Sequence, residues 1–166
     1  QQREKLHLDA NECARRARLL EDLERNLEGF SQSVKLVMKE AKHGTLPGIH
    51  GPVSRLIKVP RAYAVAIETA LGPAMQNIVV GSEQDAKRAI GFLKQRDGGR
   101  ATFLPLSNIR GNVLNEPGLE ECPGVVGIAG KLCTCDEQYN GILHSLLGRI
   151  VVAEDLDAAT AVARRY

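Results

Sequence analysis

Three of the four cysteines, Cys122, Cys133 and Cys135, stand close together, and Cys13 lies far upstream. Cys133-Thr-Cys135 with Cys122 offers three thiolates to a zinc ion. Structural zinc sites, however, space paired ligands by two to four residues and need a fourth donor. His144 is available for that place, inside the apolar run 142–147. The favoured reading is reduced structural thiols with no metal, because disulfide frameworks belong to smaller, cysteine-denser chains in oxidising compartments. His43 and His50 flank a Gly/Pro joint and read as solvated loop histidines. Among carboxylates, Asp155-Leu-Asp157 stands at a helix start, where capping accounts for it without acid–base work. Tyr63 can donate a proton, but no base–nucleophile set stands near it in sequence. The stretch Gly124-Val-Val-Gly127-Ile-Ala-Gly130-Lys131 imitates a phosphate loop, but that pattern needs glycine at 125 and a hydroxyl at 132. The chain has Val125 and Leu132 there, so these glycines read as turns. The expectation is no catalytic residue, no cofactor and no metal.

The basic residues are the remaining candidates. Arg55, Lys58 and Arg61 form one set, and Lys94, Arg96, Arg100 and Arg110 another around Gly98-Gly99. Such clusters can neutralise phosphates and give salt-dependent, sequence-independent binding; a solvated rim is the plainer alternative. Bulk charge does not help: 22 basic and 20 acidic residues leave +2, so a nucleic-acid contact has to come from local clustering. With three Phe, three Tyr and no Trp, a stacking platform for single strands is not expected. No apolar run reaches the ~18 residues of a membrane span, so no membrane partner is expected.

Two unequal pieces must position these residues. Residues 1–42 hold one glycine and no proline, whereas the other 15 glycines and all seven prolines follow. In the first piece Leu6, Cys13, Leu20, Leu27 and Val34 recur every seven residues, as the seam of a coiled coil does. The partner stripe changes phase: Ala10 and Ala17 in the first half, then Leu23, Phe30 and Val37. The same spacing suits an amphipathic helix packed on its own domain. Gly29 suggests a joint before a second helix at 31–41, and Gly44 with Pro47 ends that helix.

The second piece alternates strand and helix signals. Strands are expected at 53–59, 75–80, 101–106, 125–126 and 149–152. Helices are expected at 61–71, from Ser82 as a cap to about 97, at 139–147 and at 156–165. The apolar face of the second of these helices is Ala86, Ala89, Ile90 and Leu93. This order implies an α/β fold with helices packed on a mainly parallel or mixed sheet.

The segments "GTLPGIHGPVSRLIKVPRAYAVAIETALGPAMQNIVV", "GRATFLPLSNI", "GVVGIAGKL" and "LLGRIVVAEDLDAATAVARR" run in order from Gly44 to Arg165. They resemble the hinge domain of bacterial, condensin-type SMC (structural maintenance of chromosomes) proteins. The resemblance implies an SMC-hinge-like mixed α/β domain at 43–166, with 1–42 as the end of the incoming coiled-coil arm. It implies a non-catalytic dimerisation module of a chromosome condensation and segregation ATPase, whose ATPase heads lie elsewhere in the parent. A second protomer and DNA are the implied partners, and the cytoplasm, at the nucleoid, the implied location. Lys42, at the end of the arm, joins Arg55, Lys58 and Arg61 as DNA candidates. In the family a glycine-rich strand and a returning coil follow the "DLDAA" helix, so the hinge reads as truncated at its C-terminus. A related SMC-like repair ATPase is a second reading. A small α/β ligand-binding or enzymatic domain with a helical extension is the alternative from another class.

Overall fold

The computed structural model describes residues 13–15, 17–18 and 29–166. By contact the chain forms two units, Gln1–Ser31 and Gln32–Tyr166. In the first, 13–15 and 17–18 are helical and exposed, and Gly29 takes the left-handed φ of 91° that breaks the helical pattern. Of the expected seam, Leu6, Leu20 and Leu27 lie outside the described residues, and Cys13 is exposed. Val34 falls in the second unit, 2% exposed.

The second unit opens with α1 (Gln32–Lys42), which buries Ser33, Val34 and Val37. Composition groups this helix with the first piece, but its packing is on the α/β unit. Gly44, at φ 80°, terminates it, with the Gly44 and Thr45 amides returning to the carbonyls of Ala41 and Glu40.

The elements that follow are β1 (Ile49–Pro52), α2 (Val53–Leu56), β2 (Ile57–Lys58), a 3₁₀ turn (Arg61–Tyr63) and α3 (Ala64–Leu71). After a second 3₁₀ turn (Gly72–Gln76) come β3 (Ile78–Val80), α4 (Glu83–Gln95) and β4 (Phe103–Pro105). A long irregular stretch leads to β5 (Val125–Ile128), α5 (Ala129–Leu132), β6 (Thr134–Cys135), a 3₁₀ turn (Glu137–Tyr139), α6 (Asn140–Leu147), β7 (Val151–Ala153) and α7 (Leu156–Arg165). The fold is mixed α/β, but its strands are spread over three small sheets. Strand β3 pairs antiparallel with β1 and parallel with β4, β2 pairs antiparallel with β6, and β5 with β7.

The strand expected at 53–59 is largely a helical turn, with pairing confined to Ile57 and Lys58. Val53, Leu56 and Ile57 are spaced i, i+3, i+4, and that spacing wraps their apolar groups onto one side of a turn. Helix caps follow the sequence closely: Ser82 and Asp155 each accept a backbone hydrogen bond three residues ahead, from Asp85 and Ala158. Ile90 departs from its expected buried face and is 40% exposed.

The element order repeats. Residues 49–72 and 125–148, 76 apart, carry strand, four-residue helical turn, short strand, 3₁₀ turn and eight-residue helix in the same sequence. Identities are sparse: Gly51/Gly127, Leu56/Leu132, Tyr63/Tyr139, Leu71/Leu147 and Gly72/Gly148. In each copy the first strand bulges at its glycine, Gly51 at φ 134° and Gly127 at φ 157°. Both copies continue into a strand, fully buried in β3 and buried at Val152 in β7, and a capped helix (α4, α7). In the β2–β6 ladder Lys58 faces Thr134, its own counterpart, so the two lobes are related by a pseudo-twofold through that pair. They share one core: Val53, Ile57, Ile67, Leu71 and Val79 from the first, and Ala129, Cys133, Tyr139, Ile142, Leu143, Leu147 and Val152 from the second.

Candidate functional site

Of the expected cations, Arg55, Lys58 and Arg61 lie on short elements of the first lobe and Lys42 on α1 before it. Lys42 is in the last turn of α1 with Lys39, where the helix C-terminus favours positive charge. Arg55 is in the single turn α2, Lys58 is on β2 and Arg61 opens the following 3₁₀ turn. All four are exposed. Arg55, Lys58 and Arg61 thus form one contiguous stretch around the pseudo-twofold, because Lys58 stands on it.

Of the second basic set, Lys94, Arg96 and Arg100 lie at or just beyond the end of α4, whereas the Arg110 backbone lies against Gly141 of α6. Arg96 lies over the Phe92 ring at 5.4 Å, and Lys94 closes the helix. Arg100 is tied to α1, since the buried Ser33 hydroxyl donates to its carbonyl at 2.6 Å. Gly98 packs close to α1, since a Cβ there would stand 2.9 Å from Leu36 Cδ1. So α1 carries a cationic cluster at each end: the Gly98–Arg100 turn at its start and Lys42 about 14 Å further along its axis.

The residues read as chemistry-bearing play other parts. Cys133 is 4% exposed in the shared core, where burial, then the neighbouring Cys135, raises its thiol pKa above 9.0. Burial, then Asp136, raises that of Cys135, whose Sγ lies 3.4 Å from Asn140 Oδ1. Cys122 faces the Gly118 carbonyl at 3.3 Å instead of joining that pair. All described cysteines are free, and among the described residues no three His, Cys, Asp or Glu converge as metal ligands. Lys131, which ends the glycine run, holds both Glu120 carboxylate oxygens at 3.0 and 2.9 Å.

His50 is not the solvated loop histidine that the Gly/Pro joint suggests. It is half-buried on β1, and its Nδ1 lies 2.8 Å from the Tyr139 hydroxyl with the rings edge to face. Tyr139 is 7% exposed, and burial, then Asp136, raises its pKa above 10.0. Eighty-nine residues separate the pair, so no local pattern announces it. Two hollows lie on the described surface. One, of about 240 Å³, is walled by Ile57, Ile67, Leu71 and Met75, with Ser54 and Glu68. The other, of about 360 Å³, runs between β7, α7 and Leu114 to Leu119. No described helix is long and apolar enough to cross a membrane.

The sequence profile of the flexible hinge domain of SMC proteins matches residues 46–163, the span of the two lobes. The chromosome partition protein Smc of Bacillus subtilis (strain 168) is 40% identical over 149 residues, covering 88% of this chain and 12% of that protein. Smc of Desulfitobacterium hafniense (strain Y51) is 38% identical over 166 residues, covering 97% and 14%. The chain therefore spans only 12–14% of the length of these relatives. Among solved structures, an asymmetric dimer of the Geobacillus stearothermophilus SMC hinge domain matches with a TM-score of 0.80 and 44% identity, over 93% of this chain and 63% of that one. The Pyrococcus furiosus SMC hinge domain matches with 0.65 and 30%, over 84% and 71%. Sequence profile, relatives and fold agree: the chain belongs to the SMC hinge family.

Proposed function

We propose that this hinge joins two SMC protomers, as a homodimer, within a chromosome condensation and segregation ATPase. We further propose that it touches DNA weakly through Lys42, Arg55, Lys58 and Arg61. One observation carries the reading: the family match covers both lobes, and a relative with 44% identity forms a hinge dimer. In this reading residues 1–42 are the end of the incoming arm and 43–166 the hinge. The hinge does no chemistry itself; ATP turnover belongs to the parent's head domains, and the parent works in the cytoplasm at the nucleoid. The DNA contact is supported by three exposed cations packed into seven residues beside the pseudo-twofold. About four phosphate contacts imply an affinity that falls about a hundredfold between ~50 and ~200 mM salt.

Two experiments test it. Light scattering should give the mass of two protomers, and a persistent monomer counts against the first half. Anisotropy of a labelled duplex should show the salt dependence and lose binding when Arg55, Lys58 and Arg61 are changed to Glu. Binding that ignores salt, or survives the reversal, counts against the second half.

A further inference from the structure

The pseudo-twofold makes contacts between the lobes come in pairs. The positions equivalent to His50 and Tyr139 in the repeat are Val126 and Tyr63, and a valine cannot make the bond that His50 makes. Tyr63 and Val126 both pack against the shared core. The two sides therefore differ in chemistry. One carries a hydrogen bond of 2.8 Å between the half-buried His50 and the buried Tyr139, and the other places a valine opposite the tyrosine position.

That difference matters because little else with direction joins the lobes. Among the described residues the only ladder between them is β2–β6, two residue pairs long and on the axis itself. Much of the rest is apolar packing in the shared core, which is non-directional and tolerates sliding. A hydrogen bond weakens steeply with misalignment. The imidazole can accept from the hydroxyl or donate to it, so the tie does not depend on one tautomer. His50 thus ties β1 to the second lobe.

We propose that the two lobes of the hinge are latched on one side only, by His50 and Tyr139, and that relative motion of the lobes opens first on the Tyr63–Val126 side. This goes beyond dimerisation and DNA contact and holds whether or not either occurs. The latch turns a pseudo-symmetric body into one with a fixed edge and a yielding edge.

Residue-resolved hydrogen exchange on the full chain tests it. Protection should be lower around 61–66 and 125–127 than around 49–51 and 137–143. Tyr139→Phe keeps the ring and removes the bond; it should speed exchange at 49–51 and 137–143 about fivefold, the factor of one modest hydrogen bond, and leave α7 unchanged. His50→Val copies the chemistry of the other side, and its effect should not add to that of Tyr139→Phe. Val126→His should build the missing tie and slow exchange around 61–66. Equal protection on the two sides of the wild type overturns the latch. So does a uniform rise in exchange, multiplying effects of the two disruptive substitutions, or no slowing in Val126→His.

Discussion

The Ser33 hydroxyl donates a 2.6 Å hydrogen bond to the carbonyl of Arg100, 67 residues away, and so fixes the first turn of α1 against the turn that carries the second basic cluster. Ser33 is 4% exposed, so its removal takes away a hydrogen bond made from a buried side chain. Ser33→Ala is expected to cost about 1 kcal/mol. The midpoint of urea unfolding measures it; an unchanged midpoint would show that α1 is seated by Val34 and Val37 alone.

Two glycines of opposite surroundings give a paired prediction. A Cβ on Gly111 would stand 2.0 Å from the Ser145 amide nitrogen, a backbone atom that cannot swing aside. Gly111→Ala is therefore expected to destabilise by about 3 kcal/mol or to block folding. Gly91, in α4, has nothing within 4 Å of its Cβ position. Gly91→Ala should stabilise by about 0.5–1 kcal/mol through the unfolded chain. Thermal unfolding of the two variants checks the sign of each.

Ser54 carries the buried hydroxyl that finds no partner among the described residues, and it lines the hollow walled by Ile57 and Ile67. An unpaired polar atom there opposes folding. Ser54→Ala is expected to raise stability by about 1 kcal/mol. A loss of stability would mean that the hydroxyl is satisfied by an ordered water, which high-resolution density would reveal.

Three groups with raised pKa values predict an alkaline limit. Cys133, Cys135 and Tyr139 hold their protons in the folded chain beyond the ordinary values of 9.0 for the thiols and 10.0 for the phenol. The unfolded chain releases those protons first, so above about pH 9 it binds fewer protons than the folded one and stability falls as pH rises. Denaturant midpoints between pH 7 and pH 11 should be flat at first and then decline. A midpoint that rises beyond pH 9 would contradict the burial of these groups.

Local chemistry was the legible part of this sequence. Ser82, Asp155, Gly29 and Gly44 act at the range of one turn, and each caps or breaks a helix where its type says it should. The helix at 156–165 lies where its pattern places it. Residues 53–59 misled because a β-branched, apolar run also fits a helical turn when its apolar groups fall at i, i+3 and i+4. The repeat was hidden for a different reason. Only five of the 24 positions in 49–72 and 125–148 are identical, and the spacing slips from 76 to 73 before β3 and β7. What duplicates is the order of elements, which composition does not reveal. His50 and Tyr139 were unreadable as a pair because only the pseudo-twofold brings β1 against the 3₁₀ turn ahead of α6. The cations at 55, 58 and 61 were visible by type. The elements that carry them, a helical turn, β2 and a 3₁₀ turn, follow from the fold.

The central claim is that this hinge holds two SMC protomers together. The most direct measurement is the solution mass, by multi-angle light scattering at micromolar concentration, of the longest soluble form of the parent that contains residues 1–166. Twice the protomer mass, stable on dilution through that range, is the expected result. A single-protomer mass at every concentration would contradict it.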